Sequence, residues 1–442
     1  MKKTAILIFM ALCAMPVAAA DTTAHDRMRQ TLLYGIDKQV IDAIATIRQQ
    51  QDATFTPELA QILAEQRSSD VQKAVLDLFR DTKVKDGEAS ARALIAAWQD
   101  TPGAAVVSAV QYVAAIGADG LPALLGPLVD STDNSVALSS IAALGTGGGA
   151  DSAALLLKKL KSPDYPDGRK TDIVLALGTL KDPGAVDDLL SIAKNQDEDK
   201  VRRMYAADSL GKIGDAKALP VLRDMFQEKD ALIRLYAASA ISHFSVDEAF
   251  PMLIQGLRDE NVKVREQSAK TLARQLNPTQ TATAVPILSY KAEFDPESIV
   301  RVASLQALGA IGGDEAISML LKVYSGADHP AESRDAALTA LASKALAKSL
   351  DAIRSVIAAE WTSYDTRTLE ATARILSTTK NASLREFYVR FLDSSNPVVR
   401  SYAARGIATN AMSDLKDRVK KMADTDPSAA ARAEAAKSLL QL

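Results

Sequence analysis

One arginine position recurs along this chain at a nearly constant interval. The steps between successive occurrences are 31, 31, 36, 33, 33, 33 and 32 residues for Arg203, Arg234, Arg265, Arg301, Arg334, Arg367, Arg400 and Arg432. Upstream, with steps of 33, 33, 31 and 33 residues, the same place is held by Lys170, Ala137, Val106 and Lys73. A period of this kind indicates a repeat array, in which each unit buries its apolar faces against its neighbours.

The residues around this position share a pattern. In residues 201–211, 232–241 and 398–407 the arginine is followed, after one spacer residue, by a tyrosine and an alanine pair. Acidic residues precede it and are expected to cap a helix, which then stops at glycine, as in residues 210–214 and 308–312. A second helix follows, with proline expected in its first turn; these prolines are Pro122, Pro220, Pro251 and Pro286. Each unit is therefore predicted to be two helices, and the fold class all-α.

The period alone also admits ankyrin or tetratricopeptide repeats. Neither the Thr-Pro-Leu-His turn of the first nor the leading tryptophan of the second is present. The recurring string of acid, Val/Ile–Arg, Ala–Ala, Leu–Gly, Ile–Gly–Asp, Ala–Leu/Ile, Pro and Leu resembles the short bacterial HEAT-like repeat of the phycobilisome-lyase type. The resemblance covers residues 70–442, is strongest over 197–313, and is weak in the first third and near 343–363.

This resemblance implies an α-solenoid, a right-handed superhelix of about 12 two-helix HEAT-like repeats. It also implies protein–protein binding as the usual role, and it does not imply bilin chemistry. In such arrays an acid and an arginine near each turn form a structural ladder between repeats. The predicted ladder comprises Arg203, Arg234, Arg265, Arg301, Arg400, Asp199, Asp230, Asp259 and Asp295. Ligand binding by these arginines is the alternative.

The resemblance also places the second helices on the concave side, where a partner is expected to bind. Aligning these helices gives a mostly basic set of candidate partner-binding residues: Lys158, Lys161, Lys194, Arg258, Tyr290, Lys322 and Arg390. The alternative is that they form an ordinary solvated helix face. On a protein of net charge −3, such a ridge is expected to receive an acidic partner segment. The 36-residue interval predicts either a binding loop or drift in a permissive turn.

The first 20 residues read as a signal peptide, with Lys2 and Lys3, an apolar run, and a cleavage site after Ala20. Residues 21–69 are then a degenerate capping repeat, residues 70–442 are the solenoid, and the protein is periplasmic or secreted. Cys13 follows Leu12 rather than a small residue, so lipidation is not expected. The mature chain has no other cysteine and no transmembrane segment, and its acidic charge argues against nucleic-acid binding.

No catalytic, metal-binding or cofactor-binding motif emerges from the sequence. The three histidines are widely separated, and neither a phosphate loop nor a nucleophile elbow is present. We therefore predict an exported scaffold or adaptor that binds a protein partner and has no enzymatic activity. The alternatives are an accessory or lyase-like subunit that holds a cofactor or substrate protein, and a structural envelope spacer. End-to-end self-association through the apolar residues 439–442 is a further expectation.

Overall fold

The computed structural model describes the backbone of residues 17–442 and the side chains from residue 24 onward. Residues 1–16, with Cys13 and most of the predicted signal peptide, lie outside the described residues. The chain packs as two compact units, of which the first ends at Val221 and the second runs from Leu222 to Leu442.

Every regular element between residues 17 and 442 is helical. The first unit contains α1 (Val17–Tyr34), α2 (Asp37–Gln50), α3 (Thr56–Ala64), α4 (Ser69–Thr82), α5 (Glu88–Ala96), α6 (Gly103–Ala115), α7 (Leu121–Leu125), α8 (Asn134–Gly147), α9 (Gly149–Lys161), α10 (Asp167–Leu180), α11 (Val186–Lys194) and α12 (Lys200–Ile213). The unit boundary falls in α13 (Leu219–Met225).

The second unit contains α14 (Ala231–Ile241), α15 (Val246–Gly256), α16 (Val262–Leu272), α17 (Pro278–Phe294), α18 (Ser298–Ile311), α19 (Asp314–Ser325), α20 (Ala331–Lys344), α21 (Leu346–Glu360), α22 (Arg367–Ser377), α23 (Arg385–Leu392), α24 (Pro397–Thr409), α25 (Lys416–Thr425) and α26 (Ala429–Leu439). Short 3₁₀ turns lead into several of these helices.

Within each unit the helices stack as a solenoid. Each even-numbered helix, called a first helix here, packs on the next one, from α2 to α12 in the first unit and from α14 to α26 in the second. The following odd-numbered helix, called a second helix, packs mainly on the first helix of the next pair, as α11 does on α12, α17 on α18 and α25 on α26. The predicted all-α repeat architecture is confirmed. The predicted solenoid start at residue 70 falls beside the start of α4 at Ser69.

Two kinds of glycine shape the first helices. At Gly214 and Gly312 the backbone has φ of 76° and 72°, and α12 and α18 end there as expected. Gly309, however, lies inside α18, where an added Cβ would come within 2.5 Å of the Ala340 Cβ on α20. The glycine of the Leu–Gly step therefore allows neighbouring first helices to pack closely rather than ending the helix.

The second helices begin earlier than the prolines indicate. Pro220 lies in the first turn of α13, but Pro251 and Pro286 are inside α15 and α17. The first-turn prediction is wrong for these two because a polar cap starts each helix upstream. In α17 the Asn277 side chain accepts from the Gln280 backbone, and Gln280 reaches back to Asn277. The 36-residue interval is thus absorbed by a 17-residue helix, not by a loop.

Candidate functional site

Three arginines on first helices make the same set of contacts, called rungs here. The Nε and Nη2 atoms donate to both carboxylate oxygens of one aspartate in the next inter-repeat loop, over 2.7–2.9 Å. Nη1 donates to two loop carbonyls five and six residues upstream. The three rungs are Arg234–Asp259, Arg265–Asp295 and Arg400–Asp426.

The rung aspartates also accept a backbone N–H from the residue two positions later. Arg265 and Asp295 are only 7% and 2% exposed, so their charges are almost fully removed from water. Burial is the largest single influence on the pKa of Asp259 and Asp295 and raises it, but the hydrogen bonds from the arginines and the backbone, together with the nearby positive charges, outweigh burial and lower each pKa. For Asp426 the hydrogen bond from Arg400 is the largest influence and lowers the pKa. These contacts join neighbouring repeats and leave the carboxylates ionised.

The remaining predicted ladder residues are Asp199, Asp230, Arg203 and Arg301. Asp199 and Asp230 accept backbone N–H groups as helix N-caps of α12 and α14. Arg203 donates to the Ala193 carbonyl. Arg301 donates to the carbonyls of Asp295 and Pro296, and its buried Nε has no protein partner. The predicted set omits Asp426. The spacing could have indicated it, because Asp426 follows Arg400 by 26 residues and Asp259 follows Arg234 by 25.

The predicted partner-binding residues of the first unit all lie near the ends of second helices. Lys158 and Lys161 are in α9, and Lys194 closes α11. Lys161 forms an ion pair with Asp188 at 2.9 Å. Lys158 and Lys194 are exposed. The positive charge on this surface is therefore partly neutralised by the protein itself.

In the second unit the predicted residues are more varied in their surroundings. Arg258 is exposed just beyond α15. Lys322 on α19 binds Glu293 on α17 at 2.6 Å, and the guanidinium of Arg390 lies 4.6 Å from the centroid of the Trp361 ring. These residues do not form a continuous basic ridge, because Lys322 on α19 is already paired with the Glu293 carboxylate.

The feature that stands out on the second helices is the exposed face of α17. Seven residues of α17 are exposed, and none of them is charged. Five of these recur at intervals of three or four and so form one stripe: Thr279, Thr283, Pro286, Tyr290 and Phe294. Tyr290 and Phe294 are 60% and 59% exposed, and their ring centroids are 5.2 Å apart. Sequence reasoning selected Tyr290 but missed Phe294, although their four-residue spacing places both on one helix face.

A groove of about 450 Å³ lies between α17 and α19. It is lined by Ser289, Asp314, Glu315, Ser318, Met319 and Lys322. Lys322 is held by Glu293, and Asp314 is bonded to Lys348 on α21 at 2.6 Å. Glu315 and Ser318 are exposed and face solvent. An exposed aromatic pair on a helix that also lines a groove with a polar rim is a composition common at protein interfaces.

The chemistry needed for metal binding does not assemble in the described residues. Within residues 24–442, no group of three or more His, Asp or Glu side chains is arranged to hold a metal ion. His25 lies 3.2 Å from Asp52 at the start of the first unit, whereas His329 follows α19 in the second. Burial in the core raises the pKa of Tyr112, Tyr324 and Tyr388.

Among the helices described, none combines the length and apolar character needed to cross a membrane. Paired helices, buried rungs and an exposed aromatic stripe define a helical-repeat protein of the HEAT class. The chain belongs to the spirochaete HEAT repeat protein family, whose model matches residues 32–439. This match confirms the HEAT-like resemblance. A search of curated proteins found no match.

Solved structures of other helical-repeat proteins are similar to this chain. Kap95p, whose binding induces the switch loops of RanGDP to adopt the GTP-bound conformation, matches 95% of this chain at 12% identity with a TM-score of 0.51. The karyopherin Kap121p, bound to the extreme C-terminus of the phosphatase Cdc14p, matches 94% at 13% identity and TM-score 0.48. This chain spans 61% and 53% of their lengths.

A third similar structure is the complex of CpcE and CpcF of phycocyanin lyase from Nostoc sp. PCC7120. It matches 53% of this chain and 92% of its own chain, at 20% identity and TM-score 0.33. The Kap95p match supports the helical-repeat fold alone.

Proposed function

We propose that this chain is an exported, non-catalytic scaffold that binds a protein partner through the exposed face of α17. The observation that carries the proposal is the Tyr290–Phe294 pair, which lies on a surface helix with no charged residue in its exposed stripe. Large aromatic side chains in such a position are typical anchors of protein interfaces.

The energy available from this pair is sufficient to matter. An aromatic side chain buries about 150–250 Å² when fully enclosed, so each of these rings, roughly 60% exposed, offers on the order of 100 Å² to a partner. At about 25 cal/mol per Å², the two rings together contribute roughly 5 kcal/mol of gross stabilisation. This figure precedes the entropic cost of association, so further contacts along the groove are needed for stable binding.

Export is supported by the N-terminal sequence, in which Lys2 and Lys3, an apolar run and Ala18–Ala20 stand in the order of a signal peptide. The absence of catalysis is supported by the composition of the α17 surface, since hydroxyls, aromatic rings and a paired lysine supply no nucleophile with an activating base. Kap95p is a similar structure in which binding to RanGDP changes the conformation of the RanGDP switch loops. A binding role for this chain is in keeping with that use of the fold.

The test is site-specific photo-crosslinking in the cells that produce the protein. A photoreactive phenylalanine analogue replaces Tyr290 in one strain and Tyr364 in another. Tyr364 is a matched control because it is a fully exposed tyrosine in the same unit, in the loop between α21 and α22. We expect a discrete cross-linked species from position 290 that is absent from position 364. The same products at both positions, or none at 290, would refute the proposed surface.

Export is tested separately by cell fractionation. We expect the mature chain in the extracytoplasmic fraction, beginning at residue 21, and its retention in the cytoplasm when Lys2, Lys3 and the apolar run are deleted. Cytoplasmic protein with an intact N-terminus would contradict export without bearing on the α17 surface.

A further inference from the structure

The charges around the groove between α17 and α19 indicate what kind of partner segment it accepts. The set comprises three carboxylates, from Glu293, Asp314 and Glu315, and two ammonium groups. Lys322 pairs with Glu293 and Lys348 pairs with Asp314. The formal charge of this set is −1. A second helix with acids in its first turn and a lysine in its last turn is stabilised by the helix dipole, which explains why α19 carries its charges in this order.

The two lysines are already engaged. Lys322 Nζ lies 2.6 and 2.8 Å from the two carboxylate oxygens of Glu293, and Lys348 Nζ lies 2.6 Å from an Asp314 oxygen. A partner carboxylate would have to compete with these ion pairs. Glu315, in contrast, is exposed at the groove and makes no ion pair within the described residues. The charge open to a partner at this groove is therefore negative.

The aromatic pair favours the same ligand chemistry. The faces of tyrosine and phenylalanine rings attract guanidinium and ammonium groups. Elsewhere in this unit the chain uses that attraction itself, with Arg390 over Trp361 at 4.6 Å and Arg405 over Tyr402 at 5.5 Å. No cation of this chain lies over the rings of Tyr290 or Phe294 among the described contacts.

The dimensions suit a short segment. Glu315 and Lys322 are seven residues apart on α19, which is about 10 Å along a helix axis. Met319 lies between them and lines the same groove, to which it contributes an apolar side chain. A peptide of about two helical turns, or a shorter extended one, spans this distance.

We infer that the α17–α19 groove binds a basic, apolar segment of a partner protein. One arginine or lysine of this segment meets Glu315, and an apolar or aromatic side chain packs against Tyr290, Phe294 and Met319. This inference rests on the proposed function and gives the partner a charge opposite to the acidic segment that the sequence pattern favours. The basic ridge that was expected to receive an acidic segment is not used in this inference, because its lysine on α19, Lys322, is paired with Glu293.

The experiment is the selection of peptides from a phage-displayed library of random 12-residue sequences. The full mature chain is the bait, and a Tyr290→Ser/Phe294→Ser variant removes peptides that bind elsewhere. Both substituted residues are exposed, so the variant is expected to keep the helical circular dichroism of the parent. We expect enriched peptides to combine arginine or lysine with an aromatic or aliphatic residue.

Two further variants separate the charge from the apolar contact. For a selected peptide we expect Tyr290→Ala to weaken binding about tenfold or more, as for an interface anchor. Glu315→Gln should weaken it roughly two- to fivefold, with a smaller effect at high salt. The control is Glu332→Gln, which removes an equally exposed acid from the first helix α20 and should leave the affinity unchanged.

The outcomes distinguish this inference from the proposed function. Enrichment of acidic or uncharged peptides that still depend on Tyr290 would overturn the basic-segment inference and leave the binding surface intact. Equal loss with Glu315→Gln and Glu332→Gln would overturn the assignment of Glu315. No enrichment over the double variant would overturn both the inference and the α17 surface.

Discussion

Replacing Asp295 with alanine is expected to destabilise the second unit strongly. Asp295 accepts from Arg265 at 2.8 and 2.9 Å, from the Glu297 backbone at 3.2 Å, and lies 3.2 Å from Lys291 Nζ. Its removal leaves the Arg265 guanidinium, which is 7% exposed, without a counter-ion. Breaking a buried ion pair in this way costs about 3–5 kcal/mol. Since Nη1 of Arg265 keeps two carbonyl partners, we expect the lower end of that range.

The effect should be local, because stability in a repeat array is mainly a sum of repeat and nearest-neighbour contributions. A single melting temperature is a poor measure for such a chain, so the assay is hydrogen exchange with mass spectrometry. Peptides from α16, α17 and α18 should exchange faster in Asp295→Ala than in the parent. Peptides from α24 and α26 should be unchanged.

Two comparisons decide whether the charge is the cause. In Arg265→Met/Asp295→Ala both charges are removed, and the loss of protection should be smaller than in Asp295→Ala alone. Glu386→Ala breaks the Arg354–Glu386 pair, whose side chains are 49% and 50% exposed, and should leave exchange unchanged. Parent-like exchange in Asp295→Ala, or a double variant as unstable as the sum of the single ones, would refute the reasoning.

Three further predictions concern the packing of first helices, the rung aspartates and the exposed face of α17. Gly309→Ala should destabilise the α18–α20 pair by about 1–3 kcal/mol, because its Cβ would lie 2.5 Å from Ala340 Cβ. The control is Gly168→Ala, inside α10 with open space around it, which should stabilise the protein slightly. Chemical denaturation compares the two variants. The pKa values of the rung aspartates are lowered in the folded state, so their contribution is complete above pH 3.8 and is lost as the pH falls through the folded values. Circular dichroism should show constant helicity from pH 7 to about 5 and loss below 3.8, and earlier loss would contradict this. Tyr290→Ser/Phe294→Ser should leave thermal stability within about 0.5 kcal/mol of the parent, since both side chains are exposed, and a large loss would mean that they serve packing.

Local rules in the sequence were enough to predict the repeat. The spacing of the arginines, the Ala–Ala pairs and the glycine steps predict paired helices, because helix ends and apolar periodicity depend on residues a few positions apart. The family match over residues 32–439 confirms that interpretation. The prediction that Pro251 and Pro286 lie in the first turn of a helix was wrong. Proline alone does not locate a helix start when a capping pair such as Asn277 and Gln280 lies further upstream.

The candidate surface depended on contacts between residues distant in sequence. Tyr290 could be selected from its register, but its value as an anchor comes from the exposed ring of Phe294 beside it and from a stripe without charges. Lys322 reads as a free cation in the sequence, whereas the tertiary structure places it on Glu293, 29 residues away.

The sequence by itself thus determined that the chain forms stacked helix pairs, because that information is local and repeated. Only the tertiary structure decided which acids cap helices and which pair with arginines across repeats, as for Asp230 and Asp259. It also decided that the groove beside α17 presents negative rather than positive charge. The physical reason is that burial and ion pairing depend on the side chains that packing brings together, and these come from neighbouring repeats about 25–30 positions apart.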